Sequence, residues 1–477
     1  MNPRLPPPRD ERDAMTPFDP LAAELPHFHH TAEELSVDAA GALLQQLVQP
    51  FAMTEVETVG IFDALDRVLA HDVVSPLSVP PHDNSAMDGY AFDGHQLRPD
   101  TALALRMVGT ALAGQAWRGA VGAGECVKIM TGAVMPAGLD TVVPQELVQT
   151  GPAQGGNHTV TVPAGVLRAG ANRRFKGEDL QQGGVALVRG TRLGPAALGL
   201  LASLGLAQVA VLRRLRVAYF STGSEILSLG EAPREGAVYD SNRYTVFGLL
   251  KRLGVQVIDL GVVRDEPALL EAALRQAAAQ ADAILTSGGV STGEADHTRT
   301  LLQQLGDVAF WRIAMRPGRP MAVGRIRAAA ASPLQAKSAS SPGAVCAGSY
   351  TKESNSPPHE ALLLALPGNP VAVMVTFLAL VRPALLQMMG STQQAIPPLV
   401  PARSATALKK RPGRTEYQRA RIATAPDGTL EACALDNQGS GVLSSMVQAQ
   451  GLIVLGHAQG AVAAGDTVNV LLFDGLV

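Results

Sequence analysis

Apolar residues recur at helical spacing along "SVDAAGALLQQLVQPF", and Ser36 stands where a hydroxyl caps a first turn, so the first helix is predicted there. Beyond it, through "VKIMTGAVMPAGLDTVVPQE" and on to about residue 192, short alternating segments broken by glycine and proline turns predict β-rich modules. "GPAALGLLASLGLAQVAVLRR" returns to a helix followed by a strand.

The period changes near residue 213. "LRVAYFST", "GVQVIDLGVV" and "ADAILTSGG" are apolar runs of strand length, separated by "SNRYTVFGLLKRLG" and "PALLEAALRQAAAQ", which carry helical patterns. Such alternation predicts a parallel sheet with helices on both faces, the fold class of a multidomain α/β plus β protein. Ligands of these sheets bind at the carboxyl ends of the strands, which here carry "STGSE", "VVRDE", "TSGGVSTGEAD" and "LPGNP". From about residue 395, "SATALKKRPGRTEYQRARIAT" through "GDTVNVLLF" gives short strands without helices, which predicts a small closing β-domain.

Two stretches lack either period. Residues 1–34 mix prolines, charges and "HFHH", read as a mobile, solvated tail rather than a metal site. Residues 328–360 are rich in alanine, serine and proline and are expected to be a disordered insertion. The net charge of −3 and the 4% of aromatic residues give no bulk attraction to nucleic acid or anionic membrane and no base-stacking surface, so any anion site must be local. Cys126, Cys346 and Cys433 are too scattered for a disulfide framework or a zinc site. No signal peptide is recognised and no eighteen-residue apolar run is expected to span a membrane, which points to the cytoplasm.

The loops suggest anion chemistry. In "TSGGVSTGEADHT" a buried strand runs into Gly288 and Gly289, whose missing side chains let backbone N–H groups approach an anion, with Ser287 and Ser291 beside them; the same segment also reads as a cap and turn. It has neither the P-loop nor the dinucleotide spacing. "FWRIAMRPGRP" puts Arg312, Arg316 and Arg319 around the tight turn at Pro317, where guanidinium groups would grip an oxyanion in pairs or simply be solvated. Asn369 opens an apolar helix whose free N–H groups face the same edge.

Carboxylates recur beside these features: Glu225, Asp240, Asp265 and Asp296. Carboxylates near phosphate are unfavourable unless a cation such as Mg2+ lies between, so the pattern points to an enzyme or binder of an anionic, phosphorylated ligand with Mg2+. The segment "PPHDNSAMDGYAFDG" (residues 80–94) adds oxygen-rich side chains that suit a hard cation, a hydrogen-bond network or ordinary turns.

"DNSAMDGYA", "IMTGAVMPAGLDTVV", "KGEDL", "STGSEI", "YDSNRY", "GVVRDE", "TSGGVSTGEADHT", "AMRPGRP", "LPGNPVA" and "PGRTEYQRA" resemble, in the same order, the motifs of molybdopterin molybdenumtransferases of the MoeA type, related to the gephyrin E domain. The resemblance covers about residues 36–477 without the tail and the insertion. It implies a four-domain homodimer. A linker domain (35–79 and 163–212) would hold an inserted β-rich domain (80–162), followed by an α/β molybdopterin-binding domain (213–393) and a C-terminal β-barrel (394–477).

It further implies that adenylylated molybdopterin and molybdate, as substrates, give molybdenum cofactor and AMP with Mg2+. The molybdopterin adenylyltransferase and downstream molybdoenzyme maturation proteins would be partners. By the same resemblance, functional positions fall on Asp88, Thr131, Asp179, Glu225, Asp265 and Asp296, with Glu225, Asp265 and Asp296 organising Mg2+. Ser287, Gly288, Gly289, Ser291, Arg312, Arg316, Pro317, Arg319 and Asn369 would bind substrate or molybdate, while Arg419 and Ser440 would face the cleft from the last domain. The Asp-rich loop of one chain would complete the site of the other.

Three features depart from the family pattern: the basic cluster is all arginine where lysines are common, Ser224 replaces a usual aspartate and His82 a usual aromatic. Arginine keeps the charge but changes its geometry. Two other readings keep the α/β domain: a non-catalytic molybdopterin-binding carrier or scaffold, in which the carboxylates are dispensable, and a nucleotide-processing relative of the competence-damage type. The first and last domains argue against the second of these.

Overall fold

The computed structural model describes residues 34–152, 158–289, 295–328, 360–393 and 396–477. Residues 1–33 of the tail, 329–359 of the insertion and Ser291 therefore lie outside the described residues. The chain forms two compact units, one made of residues up to 56, 66–68 and 212–477, the other of 57–65 and 69–211.

In the first unit, six strands lie in the order Gln256–Val263, Arg216–Thr222, Ala283–Ser287, Glu360–Leu366, Pro320–Arg327, Gly306–Arg312. The first four are parallel, as the alternating apolar runs predict; Arg216–Thr222, Ala283–Ser287 and Glu360–Leu366 are almost continuously buried, as in a sheet covered on both faces, while the edge strand Gln256–Val263 is only partly so. The last two form an antiparallel hairpin, so the sheet is mixed rather than parallel throughout. The cause is local: residues 313–319 are shorter than the dozen or so that a parallel crossover needs.

Helices Pro267–Gln280 and Ala295–Leu305 bury Leu270, Leu274, Leu301 and Leu302 against Phe220, Ile284 and Leu363 of the sheet. Helix Ser241–Leu253 starts where Asp240 accepts from the Arg243 N–H (3.0 Å) and stops at Gly254, whose φ of 87° is left-handed. It packs with the helical stretch that begins at Pro370. That stretch, Pro370–Met388, corrects the expectation that no apolar run of membrane length occurs. It is long and apolar enough to cross a bilayer, yet 83% of it is buried, as in a core helix.

The C-terminal strands close on themselves: Thr415–Thr424, Leu430–Ala434, Val400–Ser404, Thr467–Leu472 and Gly451–Leu455, which returns to Thr415–Thr424. Closure removes every edge, and Ala420, Ile453, Leu455 and Val470 fill the barrel. Met315–Arg316 adds to the first of these strands in parallel, opposite Thr415 and Glu416, so the arginine-rich turn is tied to the barrel wall.

The second unit centres on a six-stranded sheet, in the order Thr141–Pro144, Gly89–Phe92, Glu125–Ile129, Leu103–Ala111, His158–Val162, Gln149–Pro152. Alternation sends Ala91, Val127 and Val142 to one core and Phe92, Cys126 and Val143 to another. Burial pushes the Cys126 thiol up to about 12, which keeps it an unreactive apolar group at neutral pH.

Candidate active site

The carboxyl ends of the four parallel strands open into a cavity of about 790 Å3. Each strand delivers a lining loop: Thr222 to Glu225, Asp265, Gly288 with Gly289, and Pro367 to Asn369. Arg316, Pro317 and Arg319 come from the hairpin turn, and Arg414 with Gln438 to Ser440 from the barrel. All of these residues belong to the first unit.

Backbone demands explain the glycines at two points. Gly288 has φ 91°, and a Cβ there would strike the Thr222 carbonyl oxygen, so two strand ends approach as only glycine allows. Gly318, with φ 105°, packs on the hydroxyl of Thr376 in the same way. The Gly288 N–H donates to the Leu366 carbonyl (3.2 Å), and Asn242 Nδ2 donates to the Gly368 carbonyl (2.7 Å), which fixes the "LPGN" loop beside the double glycine.

Charges of both signs meet here. The guanidinium of Arg316 and the carboxylates of Glu225 and Asp265 have no ion-pair or hydrogen-bond partner among the described residues. Arg319 is paired with Glu34, and Arg414 with Glu416 (2.8 Å). The Thr222 hydroxyl, on a residue of the cavity wall, is buried and has no hydrogen-bond partner among the described residues.

Hard carboxylate oxygens beside cationic oxyanion clamps fit Mg2+, which binds through one or two carboxylates, waters and substrate phosphates. Glu225 and Asp265 are the described donors; among the described residues no cluster of three such ligands exists, and the Asp296 side chain lies outside them.

Several expected site residues sit elsewhere. Ser287 does not reach the cavity: it is 2% exposed and its hydroxyl bonds Tyr219 Oη (2.7 Å), which also bonds Ser221 (2.9 Å). These hydroxyls lock adjacent strands just below the double glycine. Burial pushes the Tyr219 phenol well above its usual value, so it stays protonated. Arg312 ends its strand outside the lining, 3.7 Å from Glu34.

Arg419 does not face the cleft. At 1% exposed, it donates from Nε to Ser445 Oγ (3.0 Å) and from Nη2 to the carbonyls of Asn437 (3.1 Å) and Gly439 (2.9 Å). It is a buried brace for the loop that presents Ser440. The Ser440 carbonyl in turn accepts from the Val371 N–H (3.1 Å), so one of the helix-start amides expected to face a ligand is already engaged. Sequence reasoning missed Thr222, Asn242, Arg414 and Gln438; the position of Arg414 in "PGRTEYQR", two residues before the carboxylate it pairs with, was the available signal.

Asp88, Thr131 and Asp179 lie in the second unit. Asp88 accepts from both the hydroxyl and the N–H of Thr131 (2.7 Å each), and these bonds hold its carboxyl below the usual range. Asp179 is exposed on a loop, and its N–H bonds the Val79 carbonyl (3.1 Å). Asp83 is structural: it accepts from the Lys176 N–H (2.7 Å) and pairs with Arg173.

Family models agree with the motif order. The MoeA N-terminal region (domains I and II) matches residues 35–205, a probable molybdopterin binding domain 218–387, and the MoeA C-terminal region (domain IV) 401–473. A molybdopterin molybdenumtransferase of Haemophilus influenzae is 37% identical over 93% of this chain and 100% of its own. One from Nostoc sp. is 33% identical over 91% of this chain and 92% of its own. A solved molybdopterin biosynthesis moeA protein of Pyrococcus horikoshii superposes with a TM-score of 0.70 at 25% identity, covering 92% of this chain and 100% of that one. The chain therefore belongs to the molybdopterin molybdenumtransferase family of the MoeA type.

Proposed function

We propose that this protein inserts molybdenum in molybdenum cofactor biosynthesis: adenylylated molybdopterin and molybdate give molybdenum cofactor and AMP. The observation that carries this reading is the meeting of two carboxylates without an ion-pair partner among the described residues, Glu225 and Asp265, with Arg316 in one cavity at the strand ends. Arg316, Arg319 and Arg414 would hold the molybdate dianion and the substrate phosphates, and the backbone at Gly288 and Gly289 would let phosphate oxygens come close. Thr222 would donate its hydroxyl to one such oxygen.

Glu225 and Asp265, with Asp296, would hold Mg2+, which when bound neutralises charge on the phosphoanhydride. The chain's own contribution is to fix both anions against arginines already in place, so that the protein's own groups need not reorient as charge shifts in the breaking bond. The proposal extends to a cytoplasmic homodimer of four-domain chains, supplied by the molybdopterin adenylyltransferase and drained by molybdoenzyme maturation proteins.

AMP release from adenylylated molybdopterin, measured with and without molybdate and Mg2+, tests it. Release should require both ions and fall about a hundredfold or more in Asp265→Asn, the loss usual for one transition-state charge contact. Asp296→Asn should behave alike. A protein that binds the substrate but never releases AMP is a carrier, and the transferase reading is then wrong.

A further inference from the structure

We infer that Glu34 is a built-in competitor for the oxyanion at Arg319 and that it sets how tightly this subsite holds its anion, an inference that rests on the oxyanion-binding role proposed for the cavity. Glu34 is brought to the cluster by backbone pairing. The Leu35 N–H donates to the Arg312 carbonyl (2.8 Å), the Ala314 N–H donates to the Leu35 carbonyl (2.7 Å), and Leu35 bridges Ile313 in parallel. Ser36 then caps the helix Val37–Val48 through the Ala39 N–H (3.1 Å). The carboxylate is thus delivered by a residue whose neighbour is pinned to the hairpin, not by a long tether.

It reaches two of the three arginines around the turn of this hairpin, Arg312, Arg316 and Arg319. Glu34 is ion-paired with Arg319, which lines the cavity, and lies 3.7 Å from the guanidinium of Arg312. Arg316, in the same turn, has no such partner among the described residues. A guanidinium already gripping a carboxylate must release or share it before it can grip another oxyanion with both N–H groups.

The exposure of the pair sets its strength. With side chains 54% and 33% exposed, the Arg319–Glu34 pair is weak and screened, so it yields to a dianion instead of shutting the site. Glu225 and Asp265 differ from it, because no internal cation satisfies them among the described residues. The alternative, that Glu34 merely props Arg319 in place for its ligand, predicts the opposite sign on removal.

Isothermal titration of the full chain with molybdate in the presence of Mg2+ separates them. Glu34→Gln should tighten molybdate binding about twofold to fivefold, the fold-change of an exposed ion pair. Glu34→Asp should stay near the unaltered protein, the gain should shrink as salt rises, and it should vanish in an Arg319→Gln background. Unchanged or weaker binding in Glu34→Gln, with Arg319→Gln still impaired, overturns the role of Glu34 alone. Arg319→Gln binding as well as the unaltered protein, or no molybdate binding in any variant, overturns the site reading and this inference with it.

Discussion

Asp83, Asp88 and Asp93 come from one Asp-rich segment that carries the strand Gly89–Phe92 between the last two, and their surroundings divide them. Asp83 and Asp93 serve the backbone: one bonds Lys176 N–H, the other caps a turn at the His95 N–H (3.0 Å). Asp88 is exposed and ionised, with Thr131 aiming both donors at one oxygen. Residue types made the loop legible as polar and shaped, but which oxygen stays available depends on residues 43 to 93 positions away in the chain, which spacing does not encode. Arg419 shows the same limit. Its motif places it near the cleft, while burial turns it into a brace. Arg419→Ala should strand the Asn437 and Gly439 carbonyls and the Ser445 hydroxyl and destabilise the protein by about 2–4 kcal/mol, read from urea unfolding. Arg419→Lys should recover only part of this, because one ammonium cannot span both carbonyls and the hydroxyl. Unfolding free energy unchanged in Arg419→Ala would remove the brace from the account.

At the scale of elements, the parallel strands were readable because each apolar run is followed by a helical pattern, and the strand ends then located the cavity. The hairpin that makes the sheet mixed was hidden by the same rule, since "AMRPGRP" looks like a binding loop and also turns the chain back. At the opposite end of the sheet, Asp282 precedes the strand Ala283–Ser287 and ties it to residues 213–216. It accepts from the Arg216 N–H (2.7 Å) and from both terminal nitrogens of Arg213 (3.0 Å each). Burial alone would raise its carboxyl, but Arg213 and the Arg216 amide outweigh it, and the net direction is below 3.8. A group depressed in the folded state stabilises above its unfolded value and loses that contribution as pH falls through the lower folded one. Stability should therefore be level near neutral pH with respect to this group and fall below about pH 4. Asp282→Asn should lose up to about 3 kcal/mol at pH 7, discounted for the part-exposed Arg213, and its stability should depend less on pH between about 4 and 2. An unaltered acid limb in that variant, followed by circular dichroism, would place the acid-sensitive group elsewhere.

For the whole molecule, the order of ten motifs carried the family assignment, because loops and element ends spread over most of the chain recur together in one order, as the three family models do. Assembly is a different matter: no single-chain pattern encodes which copy completes which site. Among the described residues the cavity is lined by the first unit, whereas Asp88, Thr131 and Asp179, which the family resemblance makes functional, belong to the second. In the proposed homodimer the second unit of one chain serves the cavity of the other, and a twofold axis makes that exchange reciprocal. Asp88→Asn and Asp265→Asn should each be nearly inactive alone. Mixed, co-refolded in equal amounts and assayed for AMP release, they should recover about a quarter of unaltered activity, because half the dimers are mixed and one of their two sites is intact. Recovery fails if both carboxylates serve a site within one chain, since every site then carries one lesion whatever its partner. The mixture thus decides between a site shared across two subunits and one closed within each, independently of whether either variant alone has lost activity through its fold.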